Sequence, residues 1–161
     1  MNCVTEWMEN GEAHSCYQRT DALAHVLAPT ALRFWENRPV DGIVIGRDIP
    51  SRAIAPLLSH TIIYQPVDGR RDLRVRLAGT SLRARFPRDI TGLKMSNLFG
   101  PEDFPVRFDT MMEVIDRNEP RMACITHTVG DMTVFRLELL MLPAWSADRR
   151  ERWAVTFTFY F

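Results

Sequence analysis

Apolar residues recur at helical spacing in one long segment and alternate with polar residues in several short ones. This pattern predicts a mixed α+β chain. The clearest helix covers residues 102–118, where apolar side chains return every three or four positions. Gly100 and Pro101 open this helix, and Pro120 ends it. Its apolar stripe consists of Phe104, Phe108, Met111, Met112 and Ile115.

Two strands are predicted before this helix. Residues 60–67 are rich in β-branched side chains, and residues 73–78 alternate apolar residues with arginine, as in a strand with one face in water. Asp68 and Gly69 form a turn signal between them. Short helical turns are predicted at residues 51–58, 80–86 and 95–99.

Three strands are predicted after the helix. The first two form a hairpin around Gly130 and Asp131, a pair that suits a type II′ turn. A two-residue loop would pair Cys124 with Leu137. One face, the better core, then carries Met122, Cys124, Thr126, Phe135, Leu137, Leu139 and Met141. The other carries Ile125, His127, Val134, Arg136, Glu138, Leu140 and Leu142, whose apolar members need cover. Residues 153–161 form the last strand, and both of its faces are partly apolar.

Residues 20–38 have a helical pattern, which fits two short helices or one helix kinked at Pro29. Residues 1–19 show no clear period, so we expect a loosely ordered arm there. Residues 20–161 then form one domain, with an N-terminal helix over 20–38 and a core over 60–161. The economical packing of these elements is a five-stranded antiparallel sheet with helices on one face.

Composition narrows the class of protein. The 161 residues carry 20 basic and 20 acidic side chains and are 46% hydrophobic, which is typical of one globular domain. Zero net charge argues against a nucleic-acid partner, which usually recruits a strongly basic domain. The three cysteines have no metal-ligand spacing, and neither a signal peptide nor an apolar run of membrane-spanning length is present. These features predict a cytoplasmic protein without membrane insertion or a metal site.

Short motifs occur in two parts of the chain. The stronger ones are Arg76-Leu77-Ala78-Gly79-Thr80 and Arg88-Asp89-Ile90-Thr91-Gly92. The upstream ones are Leu32-Arg33-Phe34-Trp35, Pro50-Ser51-Arg52 and Leu57-Leu58. Together they resemble the motifs of PAS domains, and in particular those of the alphaproteobacterial family of single-domain PAS-like proteins. The resemblance covers about residues 30–161. It implies a sheet curled around a pocket, with the N-terminal helix packed on the outer face and often used for dimerisation.

The resemblance also allows known PAS cofactors to be tested. A haem would need a histidine on the long helix, and residues 102–118 contain none. A photoreceptor flavin would need a cysteine in the short helices, and residues 80–99 contain none. Both cofactors are therefore disfavoured, and the ligand is left open. The candidate pocket residues are Phe108, Met111, Met112, Ile115, Cys124, Phe135, Leu137 and Leu139, which a plain core would also explain.

Chemistry-bearing residues give little support for catalysis. His127 lies near Asp131, but the predicted pairing points it to the outer face, and no nucleophile motif or phosphate-binding glycine loop is present. An arginine cluster fits either an anionic partner or a solvated surface with internal ion pairs. It consists of Arg70, Arg71, Arg74, Arg76, Arg83, Arg85 and Arg88.

These observations predict a non-catalytic sensory, signalling or adaptor module that binds a small molecule, a partner protein or both. We expect a homodimer through residues 20–38 and the outer sheet face, together with a separate signalling protein as partner. The candidate contact residues are Leu23, Leu27, Leu32, Trp35, Ile125 and Val134. The alternative is a small enzyme or carrier that uses an α+β cavity for an apolar metabolite.

Overall fold

The computed structural model describes residues 2–8, 11–83, 85–86 and 88–161. Within these ranges seven strands form one antiparallel sheet. The strands are β1 (Asn2–Met8), β2 (Gly11–Thr20), β3 (Thr61–Val67), β4 (Asp72–Ala78), β5 (Arg121–Val129), β6 (Met132–Trp145) and β7 (Arg152–Tyr160). The helices are α1 (Ala28–Glu36), α2 (Ala55–Leu58), α3 (Thr80–Arg83), α4 (Met95–Leu98) and α5 (Asp103–Arg117), and a 3-10 turn covers Arg52–Ile54.

The strand order is β1-β2-β5-β6-β7-β3-β4. The five predicted strands are therefore contiguous, and the α+β fold with an antiparallel sheet is confirmed. The long helix is confirmed as α5, which begins and ends within one residue of the predicted limits.

Residues 2–8 and 11–20 form the strands β1 and β2 in place of the loosely ordered arm expected over residues 1–19, of which residues 1, 9 and 10 lie outside the described residues. β1 pairs with β2, and β2 pairs with β5 along eight positions. Tyr17 stands opposite Ile125 in this pairing, and both side chains are buried. The alternation is weak because Ser15 and Arg19 share the inner face with Tyr17, so hydrophobicity alone does not reveal the strand.

The N-terminal helix is shorter than predicted. α1 begins at Ala28, and Pro29 lies in its first turn, where proline's missing N–H is no loss. The preceding segment is instead tied to the sheet: the amides of Ala24 and His25 both donate to the buried Glu138 carboxylate at 2.9 Å.

α1, the 3-10 turn and α2 cover the outer face of the sheet. Buried side chains of β6 and β7 pack beneath them. The helices therefore shield the apolar residues of the outer sheet face from water. The ring of Phe34 on α1 meets the ring of Phe157 on β7 edge to face, with 6.1 Å between centroids. α3, α4 and α5 lie against the opposite, concave face.

A β-bulge between His127 and Thr128 changes the predicted register of the β5–β6 hairpin. Ile125 pairs with Leu137, and Cys124 pairs with Glu138. One residue of slip exchanges the faces of a strand. Ile125 is therefore fully buried in the inner core, whereas Cys124 lies on the outer face.

No helix in the described ranges is long and apolar enough to cross a membrane. Those ranges also contain no group of three or more His, Cys, Asp or Glu residues arranged to hold a metal ion.

Candidate functional site

A cavity of about 420 Å³ lies between the concave sheet face and helices α3, α4 and α5. This volume is within the range of small-molecule sites. Most of the wall is apolar. The apolar residues of the wall are Ile62, Leu82, Phe86, Met95, Phe99, Met111, Phe135, Leu137, Leu139 and Met141.

β7 supplies the hydroxyl-bearing part of the wall because its residues alternate between two faces. Thr156, Thr158 and Tyr160 face the cavity. Val155, Phe157 and Phe159 face the cluster under α1. This division assigns the inward face of the last strand, which the sequence pattern leaves open.

Two arginines reach the cavity from the helical side. The Arg107 Nε donates to the Asp103 carboxylate at 2.9 Å, and its guanidinium carbon lies 4.1 Å from the centroid of the Phe99 ring. These two contacts hold the guanidinium in a side chain that is only 15% exposed. Arg85 stacks on the ring of Tyr160 at 4.3 Å, although its side chain is exposed.

Three tyrosines add phenol groups to the wall. Burial raises the pKa of Tyr64 to about 12, against a smaller opposite effect of the Arg107 guanidinium. Burial also raises the pKa of Tyr17 and of Tyr160. All three are therefore neutral hydrogen-bond donors at physiological pH. The Tyr17 hydroxyl contacts the Met141 sulfur at 3.8 Å, whereas the Tyr64 hydroxyl has no hydrogen-bond partner among the described residues.

A family model described as PAS domain matches residues 28–155. The chain belongs to the PAS domain family. Comparison with curated proteins and comparison with solved structures gave no significant match. PAS domains are generally sensory or signalling modules, typically without catalysis.

Two glycines of the motifs that suggested the PAS family have structural roles near the cavity. Gly79 follows β4, and its amide donates to the Thr61 carbonyl at 2.8 Å. Gly92 has a φ of +88°, and its amide donates to the Val75 carbonyl at 2.7 Å. A positive φ favours glycine, so this turn can fold back onto β4. Both glycines thus position the short helices that form one side of the cavity.

The structure places four of the eight candidate pocket residues on the cavity wall, namely Met111, Phe135, Leu137 and Leu139. Phe108 and Met112 are half-buried against the same core but do not line the cavity. Ile115, one turn further along α5, is buried in the core beyond it.

Cys124 as a pocket residue is wrong. The bulge turns it to the outer face, where the Arg136 Nε lies 3.4 Å from its sulfur. The prediction that His127 faces outward is also wrong, because the same bulge changes the register of β5. His127 stands opposite Phe135, and the two rings stack with 5.0 Å between centroids.

The candidate contact residues of the PAS domain fall into three groups. Leu23, Leu27, Leu32 and Trp35 are half-buried against their own outer sheet face. Ile125 as a partner contact is wrong, because it is buried in the inner core. Val134 is exposed near the tip of the β5–β6 hairpin.

The arginine cluster does not form one uniform patch. Arg70 pairs with Asp116, and Arg76 lies over the ring of Trp153 at 5.6 Å. Arg85 alone of the cluster lines the cavity. The cluster therefore divides between surface contacts and the candidate site.

The sequence reasoning missed the polar wall of the cavity. Alternation in the first predicted strand puts Ile62 and Tyr64 on one face, which was a usable signal for Tyr64. The alternation of hydroxyl-bearing and large apolar residues along β7 was a second signal. Arg107 gave a third signal, because it lies four residues before Met111 and therefore at the edge of the predicted apolar stripe.

Proposed function

We propose that this PAS domain is a sensory module that binds a small organic molecule in the concave cavity. The observation that carries the proposal is the 420 Å³ cavity between the sheet and helices α3, α4 and α5. A mostly apolar wall with a few converging polar groups is the usual composition of a ligand site.

The alternation of β7 supplies a route for the signal. Thr156 and Thr158 would touch the ligand, while the intervening Phe157 packs against Phe34 of α1. His25, just before α1, stacks on Phe159 with 4.8 Å between centroids. A ligand that shifts β7 would therefore alter how α1 and its preceding segment rest on the outer face.

The cavity is tested by filling it. Leu139→Trp on β6 adds bulk to the cavity wall, and Val134→Trp adds the same ring at an exposed position of the same strand. We expect the purified protein to bind decan-1-ol in calorimetry, Val134→Trp to bind it equally, and Leu139→Trp to weaken binding at least about tenfold. A wild-type protein that binds neither decan-1-ol nor decanoate would overturn the proposal.

A second measurement separates a sensor from a simple carrier. In a sensor, ligand binding should change the rate of amide hydrogen exchange in α1, on the far side of the sheet. In a carrier for an apolar metabolite, the change should stay within the cavity walls. Unchanged exchange in α1 with a saturating ligand would therefore favour the carrier.

The homodimer through residues 20–38 stays a prediction. Because Leu32 packs on its own sheet, a charged residue there would disturb the fold as well as any dimer. Val26 is 82% exposed just before α1 and makes a cleaner probe. We expect light scattering to give twice the 18.6 kDa of one chain, and Val26→Asp to halve that mass with an unchanged circular dichroism spectrum. A Val26→Asp protein that stays dimeric would contradict an interface at this position.

A further inference from the structure

We infer that the ligand is a monocarboxylate with an apolar body, held by its carboxylate between Arg107 and Tyr64. This inference rests on the proposed function and adds the chemical class of the ligand. Three features support it: the unused donors of a fixed arginine, a phenol hydroxyl that opens to the cavity, and the excess of cationic groups around the cavity.

Arg107 is a cation with spare donors. Its Nε is occupied by Asp103, but its two terminal nitrogens donate to no acceptor among the described residues. The ion pair and the Phe99 ring fix the direction of the guanidinium, so little side-chain freedom is lost when an anion binds. A guanidinium fork matches the two oxygens of a carboxylate.

Tyr64 provides a hydrogen-bond donor on the cavity wall. Its side chain is 4% exposed and lines the cavity, and none of the described residues accepts from its hydroxyl. The hydroxyl opens to the cavity, where a ligand oxygen can take the place of water as its acceptor. Tyr64 and Arg107 both line this cavity, so one ligand can reach both groups.

The charge balance favours one negative charge on the ligand. Arg85 and Arg107 line the cavity, and no acidic side chain is among its described lining residues. The nearest carboxylate in contact with these cations is Asp103, which pairs with Arg107. The lining therefore carries more positive than negative charge, although water weakens the contribution of the exposed Arg85. An anionic group suits this lining, and the largely apolar remainder of the wall favours a ligand with only one such group.

The remaining wall sets the size and polarity of the rest of the molecule. Apart from the two arginines, the two threonines and the three tyrosines, the groups that face the cavity are aliphatic, phenylalanine or methionine side chains. At about 30 Å³ for each water-sized group, the cavity holds roughly a dozen non-hydrogen atoms. Decanoate has this size, and decan-1-ol is its uncharged counterpart.

Calorimetric titration of the full chain with these two probes tests the inference. We expect decanoate to bind about tenfold more tightly than decan-1-ol, as charge-assisted hydrogen bonds predict. Arg107→Gln should weaken decanoate binding about tenfold and leave decan-1-ol unchanged. Tyr64→Phe should weaken decanoate binding about fivefold. The matched control is Arg70→Gln, which removes a surface arginine outside the cavity and should change neither affinity.

The outcomes separate this inference from the proposed function. Equal affinities for the two probes in the wild type would overturn the carboxylate and leave the binding cavity standing. Binding of neither probe would overturn both. Because Arg107→Gln also breaks the Asp103 pair, its fold is checked by circular dichroism. If it fails to fold, Tyr64→Phe decides, and an unchanged decanoate affinity in that variant overturns the inference.

Discussion

Replacing Gly79 with alanine is expected to lower the free energy of unfolding by about 3 kcal/mol, the upper range for overpacking. A Cβ at this position would overlap the main-chain carbonyl groups of Leu58 and Ser59. Main-chain atoms cannot rotate away as a flexible side chain can. The overlap would therefore force the end of β4 away from the connection between α2 and β3, weakening the Gly79 amide bond to Thr61.

Gly100 provides the matched control for this substitution. It lies in the turn before α5, and a Cβ there would meet no atom within 4 Å. Gly100→Ala should change stability by no more than about 0.5 kcal/mol. Urea unfolding followed by circular dichroism measures both variants. Equal stabilities for the two proteins would contradict the close approach at Gly79.

The fold could be predicted because its core elements carry strong local signals. α5 has an apolar stripe between two prolines, and β3 and β4 flank the Asp68-Gly69 turn. Gly130 has the positive φ, +57°, that the predicted hairpin turn requires at its first position. Each of these signals depends on residues that are close together in the sequence, so it can be recognised without knowledge of the tertiary structure.

The two faces of the β5–β6 hairpin could not be assigned from the pattern. Both alternating sets of side chains contain enough apolar residues to face the core. A shift of one residue in the pairing of β5 with β6 therefore gives an equally plausible hydrophobic pattern. The bulge between His127 and Thr128 supplies that slip. This is why Cys124 was predicted inside and Ile125 outside, although the reverse holds.

The polar residues of the cavity were not predicted from the sequence for a different reason. Arg85 stands among several arginines and was grouped with them, and Arg107 lies at the edge of the predicted α5 stripe, four residues before Met111. Their approach to Tyr64 and Tyr160 depends on how the helices pack on the sheet. Sequence periodicity reports which face of an element is apolar, but not which distant polar groups meet.

Glu138→Ala is expected to lower the free energy of unfolding by about 3 kcal/mol, because it removes the charged acceptor of two part-buried main-chain amides. Glu138 is 1% exposed on the outer face of β6. Its carboxylate accepts from the amides of Ala24 and His25 at 2.9 Å and from Arg136 at 3.2 Å. Alanine offers no acceptor for the two amides, whereas Arg136 is exposed enough to be rehydrated.

Glu138→Gln separates geometry from charge. A glutamine oxygen can still accept from the two amides, but its NH₂ group would face the Arg136 guanidinium. We expect an intermediate loss of about 1 kcal/mol, the net contribution of one typical hydrogen bond. Glu36→Ala removes an exposed carboxylate that makes no ion pair within the described ranges, and should change stability by less than about 0.5 kcal/mol.

Amide hydrogen exchange then shows whether the loss is local to the N-terminal segment. The Glu138 carboxylate connects β6 to the residues that lead into α1, so its removal should free this segment before the sheet opens. In the Glu138→Ala protein, the exchange rates of the Ala24 and His25 amides should therefore increase much more than the exchange rates in β6. An increase spread evenly over the sheet would mean that Glu138 stabilises the core as a whole rather than fastening α1 to it.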